Sequence, residues 1–315
     1  MNWVKFITRR LAALAATLLL LSVLIFFIME VVPGDVAQMI LGRNVTESSL
    51  AVLRQQLGLD RPAPVRYWEW LTGFLTGDLG VSISLHAPIG SILMRRTGHS
   101  LVLGFTAAII GLPLAVILGF VAALHRPRWL DALLSRGTVV ISSLPEFLIA
   151  MLLVLLFSQV AGWFPATAAV RSGSPLDDPR VLVLPVTTLV LTMTAYVLRV
   201  TRASVKKTLD AEFVVAAEMK QLPLATILWR HVAPNALLPT ITLVAGHVGW
   251  LIGGLIVVEA VFAYPGLGLL ILTAAKNRDV PLLEATVLLA ASFRIIANLG
   301  ADILYRVVDP RVRLS

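Results

Sequence analysis

His231, Asn235 and Pro239 recur every four residues, which sets them along one face of a helix. A metal site built on His231 would need a second ligand at useful spacing, and none is present, so a structural hydrogen bond is its expected role. Arg294, Asn298 and Asp302 share a second helix face, and Arg294 falls near the middle of the last apolar run. A charge at that depth is costly and is a functional candidate by default. Arg294 could line a solute path and meet carboxylates, or it could join a structural network with Asn298 or a neighbouring subunit. Glu259 stands at the outer end of the preceding apolar run, as a helix-end anchor or a solute ligand. Arg294, Asn298 and Glu259 are therefore the candidate path residues. No catalytic arrangement accompanies them. The chain has no G-x-x-x-x-G-K-[ST] phosphate loop, no H-E-x-x-H and no G-x-S-x-G. It is expected not to be an enzyme, and to hold neither ATP nor a metal of its own.

The elements that carry these residues are apolar. Of 315 residues, 58% are hydrophobic and 14% charged, and the mean hydropathy is +0.88. That composition, with several runs near the roughly 20 apolar residues a bilayer demands, reads as an all-α integral membrane protein. Six spans are expected, at about 11–29, 101–124, 139–161, 181–200, 237–261 and 282–308. The first begins basic, like a signal peptide. It is longer than a signal core and has no small-residue cleavage pattern, so it is read as an uncleaved span. Gly246, Gly249, Gly253 and Gly254 give the fifth span a small-residue face suited to close packing. There are no cysteines, which excludes disulfides and thiolate metal sites. The net charge of +8 reads as loops held at the membrane, not as a nucleic-acid surface.

Residues 1–32 form the N-terminus and first span, 33–99 an external loop domain, 100–308 a five-helix core and 309–315 a tail. Within 33–99, Thr46 reads as an N-cap for a helix stopped at Gly58. Pro64 to Leu75, with Tyr67, Trp68 and Trp70, reads as an amphipathic helix at the bilayer surface. With the N-terminus inside, 15 Lys and Arg fall on the cytoplasmic side and 10 outside, six of the ten in the long first loop. Both termini and the segment 201–237 are then cytoplasmic. That segment is polar and basic between two apolar runs. Pro223 divides it into two short helices meeting near Gln221.

Short motifs in this frame resemble one family. Val215-Ala216-Ala217, followed by Glu218, Lys220, Gln221 and Leu222, stands where the E-A-A-x-x-x-G signature is expected, and Leu238-Pro239 closes it. His231, Asn235 and Pro239 match the H-x-x-x-N-x-x-x-P spacing. Val32 to Asp35, Leu57 to Asp60, Gly77 to Gly80, Trp163 to Thr167, Glu259 to Gly268, Asn277 to Pro281 and Asp309 to Arg313 also match, in order, nearly end to end. The chain resembles a permease subunit of a binding-protein-dependent ABC importer, in the dipeptide/oligopeptide/nickel group. The resemblance implies the type I importer permease fold, in a bacterial-type plasma membrane. It implies a second homologous permease, two cytoplasmic ATPase domains that bind ATP and Mg, and an external solute-binding protein. Peptides are the leading solute, and the 209–239 loop is the element that couples to the ATPase. Two departures stand out. Val215 replaces the Glu, and Gln221 replaces the Gly that most easily takes a left-handed turn. The rival class is a self-sufficient secondary transporter or channel. It would need paired repeats and intramembrane ion ligands, and no clear repeat is present.

Overall fold

The structure, a computed structural model, describes residues 3–31, 46–56, 60–124, 128–169 and 173–308. Val32 to Asp35, Leu57 to Leu59 and the 309–315 tail lie outside the described residues. Eleven α-helices of eight residues or more follow one another among the described residues: α1 (Trp3–Val31), α2 (Glu47–Gln56), α3 (Ala63–Thr76), α4 (Ile89–Leu124), α5 (Arg128–Ser143), α6 (Glu146–Leu153), α7 (Arg180–Leu209), α8 (Glu212–Met219), α9 (Ala233–Val261), α10 (Leu267–Lys276) and α11 (Val280–Val308). The described β structure is one isolated bridge, Val81 to Pro88. In a bilayer each backbone polar group must be satisfied internally, and helices do this within one segment.

Among the described residues, four helices, α1, α4, α7 and α11, are long and apolar enough to cross a membrane. α9 runs 29 residues and covers the fifth expected span; the side chains of 245–253, including three of its four glycines, lie outside the described residues. The run 139–161 differs from expectation. It is not one helix. α5 stops at Ser143, α6 starts at Glu146, and the pair is bent by 108°. Pro145 is the reason. It has no N–H to donate and it drives Leu144 out of the helical region, so the first helix ends before it and the second starts after it. α6 then loosens into π-helical turns over Val154–Val160.

Two compact units divide the chain. One comprises residues 99–265 with 296–315. Its core joins Leu103 and Ala107 of α4, Ile149 and Leu153 of α6, Leu184 and Leu189 of α7, and Val258 of α9. Two glycines let α4 and α7 approach. A Cβ on Gly111 would sit 2.2 Å from Met193 Cε, and one on Gly119 would sit 2.7 Å from Thr201 Cβ. α7 and α9 are joined by a buried hydrogen bond of 3.1 Å between the Thr201 and Thr240 hydroxyls. α5 is tied to α7 by Asp131, which accepts from Arg202 Nε at 2.5 Å and Nη2 at 2.6 Å, and from Lys206 at 3.1 Å.

The other unit comprises residues 2–98 and 266–295. Thr46 caps α2 as expected, its Oγ1 accepting from the Ser49 N–H at 3.4 Å. α3 covers the expected Pro64–Leu75 helix and buries Tyr67 and Leu71 against Phe26 of α1. The Tyr67 hydroxyl meets the Ser22 hydroxyl at 2.8 Å, and Arg66 pairs with Glu30. Trp68 and Leu75 are left exposed on the far side. Ile89, Ile92 and Leu93 pack with Leu270, Leu282 and Ala285.

Candidate functional site

The 209–239 segment folds as the sequence predicts at its centre. α8 ends at Met219, and the chain turns at Gln221, whose φ is +55°. The turn is closed by two backbone bonds. Gln221 N–H donates to Glu218 O at 2.8 Å, and Leu222 N–H donates to Ala217 O at 3.3 Å. This is a Schellman closure with the left-handed position taken by Gln. Leu222 also packs in the cluster that holds Ala217, which supplies the apolar contact that usually accompanies such a closure. After Pro223 the chain enters a single turn (Leu224–Thr226), passes through π-helical turns (Ile227–Val232) and runs on into α9. The second short helix is therefore not separate; it is the first part of the fifth apolar helix. Pro234 stands where the π-helical turns give way to α9, a change of register that accommodates its missing N–H.

Burial sorts the signature residues into two groups. Val214 and Ala217 point into a cluster with Val205, Ile227, Val232 and Ala236. Val215, Ala216, Glu218, Lys220 and Gln221 are exposed. His231 is half-buried, while Asn235 and Pro239 are exposed, and Asn235 Nδ2 donates to the His231 carbonyl at 2.8 Å. Sequence reasoning missed the large apolar side chains on the outer face. Met219 is 80% exposed, Trp229 79% and Leu224 63%, with Phe213 and Val215 beside them in the sequence. Their signal was present. Met219 and Trp229 interrupt a polar, basic segment where no lipid contact is expected. Glu212, Glu218, Lys220 and Arg230, all exposed, lie among them in the sequence.

The candidate path residues separate. Glu259 is fully buried and accepts from Ser100 Oγ at 2.5 Å. Its backbone carbonyl accepts from Tyr264 N–H at 2.9 Å, and Ala263 between them has φ +50°. Tyr264 is buried and its hydroxyl donates to the His99 carbonyl at 2.7 Å. Arg294 and Asn298 are exposed on α11, with no hydrogen bond or ion pair to a described residue.

A further motif resolves into the same closure. Asn277 to Pro281 ends α10. Asp279 N–H donates to Ala274 O at 2.9 Å, with Arg278 at φ +50°. The Asp279 carboxylate then caps α11 at Leu282 and accepts from Ser82 Oγ at 2.5 Å and from Ser84 N and Oγ at 2.9 and 2.7 Å. Burial pushes this carboxyl up, but the bonds from Ser82, Ser84 and Leu282 outweigh it and hold it below the usual Asp range. Gly77 to Gly80 forms the turn that delivers Ser82, with Gly77 at φ +87° and Gly80 at +72°.

Long apolar helices, several of them able to cross a membrane, are those of a multi-pass membrane protein. Residues 115–314 match the family described as binding-protein-dependent transport system inner membrane component, and residues 3–103 match the N-terminal family of the same systems. The chain belongs to this family of permease subunits. It is 35% identical over 98% of both chains to a protein described as a candidate peptide transport system permease of Brucella abortus (strain 2308). It is 34% identical, over 98% of this chain and 99% of the other, to the glutathione transport system permease protein GsiC of Salmonella typhimurium (strain LT2). Among solved structures, an amino acid ABC transporter crystallised with histidines matches with a TM-score of 0.50 at 17% identity, covering 70% of this chain and 94% of that one. That likeness concerns the fold alone.

Proposed function

We propose that this chain is one of two homologous permeases lining the path of an ATP-driven importer for short peptides. The observation that carries the reading is the outward apolar face of the 209–239 hairpin, with Met219 and Trp229 about four-fifths exposed above a closed core. Val215, Ala216, Glu218, Lys220 and Gln221 border that face, and it is the surface on which an ATPase domain docks. The two cytoplasmic ATPase domains hold ATP and Mg and draw together on binding nucleotide. The rigid hairpin carries that motion to α7 and α9, switching the bundle between two states. An external binding protein delivers the solute. Six spans, with both termini and the hairpin in the cytoplasm and the 33–99 domain outside, complete the arrangement. Peptides are favoured because the relatives matched end to end carry peptide or glutathione transport in their names.

The test is uptake of a labelled dipeptide into proteoliposomes holding this chain, its partner permease and the ATPases, with the binding protein outside. Uptake that needs both ATP and the binding protein is expected. Uptake by this chain alone, without ATP, would overturn the reading in favour of a secondary transporter.

A further inference from the structure

A cavity of about 320 Å³ opens beside the α5–α6 bend. Glu146, Ser142, Thr192 and Tyr196 line it, among apolar neighbours that include Leu112 and Met193. Glu146 is the first residue of α6 and is half-buried. Its carboxylate makes no hydrogen bond or ion pair with a described residue. Gly254 of α9 keeps room for it: a Cβ there would lie 2.8 Å from Oε2 and 3.1 Å from Oε1. One cation, Arg199, stands on two of these lining residues and makes no ion pair with Glu146. Arg199 Nη2 donates to Ser142 Oγ at 3.1 Å, and the guanidinium lies 5.9 Å from the Tyr196 ring centre.

A carboxylate beside an apolar cavity, with no ion pair to a described residue, can take a cationic ligand. The surroundings favour a small ammonium. The Ser142 hydroxyl, which accepts from Arg199, keeps a second lone pair for an N⁺–H group, and the Tyr196 ring stands beside it. The bend itself helps, because α5 ends at Ser143 and its last carbonyls carry partial negative charge. Broken helices of membrane transporters place such ends around a bound ion or solute.

We infer that Glu146 is the counter-charge for a primary ammonium held in this cavity, and that the ammonium is the free N-terminus of a peptide in transit. The inference rests on the reading of peptides as the solute. Amine-bearing lipid headgroups share the chemistry, so the test excludes them.

The assembled complex, without binding protein, is placed in nanodiscs of phosphatidylglycerol alone. Binding of labelled Ala-Ala and of N-acetyl-Ala-Ala is compared. Wild type prefers the free amine by roughly tenfold, the worth of one charge-assisted hydrogen bond. Glu146→Asp retains a preference and Glu146→Gln abolishes it. An unchanged preference in Glu146→Gln overturns the inference while leaving dipeptide uptake, and so the importer reading, intact. A second measurement needs no variant. Dicyclohexylcarbodiimide modifies carboxyl groups in apolar surroundings, and its attachment to Glu146 is read by mass spectrometry. Ala-Ala slows that modification and N-acetyl-Ala-Ala does not. Protection by phosphatidylethanolamine but not by Ala-Ala overturns the assignment to a peptide. Wild type that carries no dipeptide in the uptake assay overturns the importer's peptide reading, and this inference with it.

Discussion

Leu222 donates its backbone N–H to the carbonyl of Ala217 at 3.3 Å, across a left-handed Gln221. The bond shows how the hairpin tolerates a residue other than Gly at its turn. The closure is made by the backbone and by Leu222 packing, so Gln221 needs only to adopt φ > 0, at a cost of about 1–2 kcal/mol. Gln221→Gly should therefore stabilise the purified chain by about 1 kcal/mol, and Gln221→Val should destabilise it. Thermal unfolding of the three proteins checks this. A less stable Gly variant would show that Gln221 holds its turn by some other interaction.

Trp229 and Met219 form the exposed apolar face, and removing them should weaken association without unfolding the chain. Trp229→Ala with Met219→Ala is expected to cost about 2 kcal/mol or more of ATPase binding, as for centrally placed interface anchors. Co-purification and thermal unfolding separate the two effects. Full ATPase recovery with the double variant would move the docking surface elsewhere.

Asp131 receives both guanidinium nitrogens of Arg202 on one edge, and Lys206. Lysine at position 202 cannot reproduce that fork. The pair is partly solvated, with side chains 27% and 22% exposed, so the cost of Arg202→Lys should be only about 1 kcal/mol. A double-mutant cycle with Asp131→Asn reads the coupling. A value near zero would mean that the pair is decorative.

Asp279 is held below the usual carboxylate range by Ser82, Ser84 and its own helix. A depressed folded value means that its stabilisation is fully present above the unfolded Asp value near 3.9. It is lost as pH falls through the lower, folded value. Asp279→Asn should cost about 2–3 kcal/mol at neutral pH, and the gap to wild type should close in acid. Unfolding measured from neutral to acid pH for both proteins tests the sign. A gap that widens in acid would contradict it.

Gly119 and Gly111 face α7 at different tolerances. A methyl on Gly119 meets Thr201 Cβ and, at 3.1 Å, the Leu198 carbonyl oxygen, which cannot swing aside. A methyl on Gly111 meets chiefly the tip of Met193, which can. Gly119→Ala should cost about 1–3 kcal/mol and Gly111→Ala clearly less. The reverse order in a thermal-shift series would show that Met193 is the fixed partner.

The helical membrane class, the hairpin and its bend were legible because they rest on composition, proline and local pattern. The Pro145 bend was also written in the sequence. It was missed because a continuous apolar run conceals a break that removes no hydrophobicity. Which face of α8 turns outward was not legible, since Val214 and Val215 are identical in type and burial depends on partners distant in the chain. The same holds for Glu146. A lone acidic residue beside a proline gains meaning only when α9 brings Gly254 against it. The role of Glu259 was half legible. Its position at a helix end could be read, but Ser100, its partner 159 residues away, could not.

Gln221, Ala263 and Arg278 each end a helix by bonds that reach back no more than five residues. The carbonyls freed at those ends are thus answered from within the same short segment. A nascent chain can make these reversals as each stretch emerges, before the neighbours that will later surround it exist. No half-made turn then waits for a distant partner to cover its backbone groups.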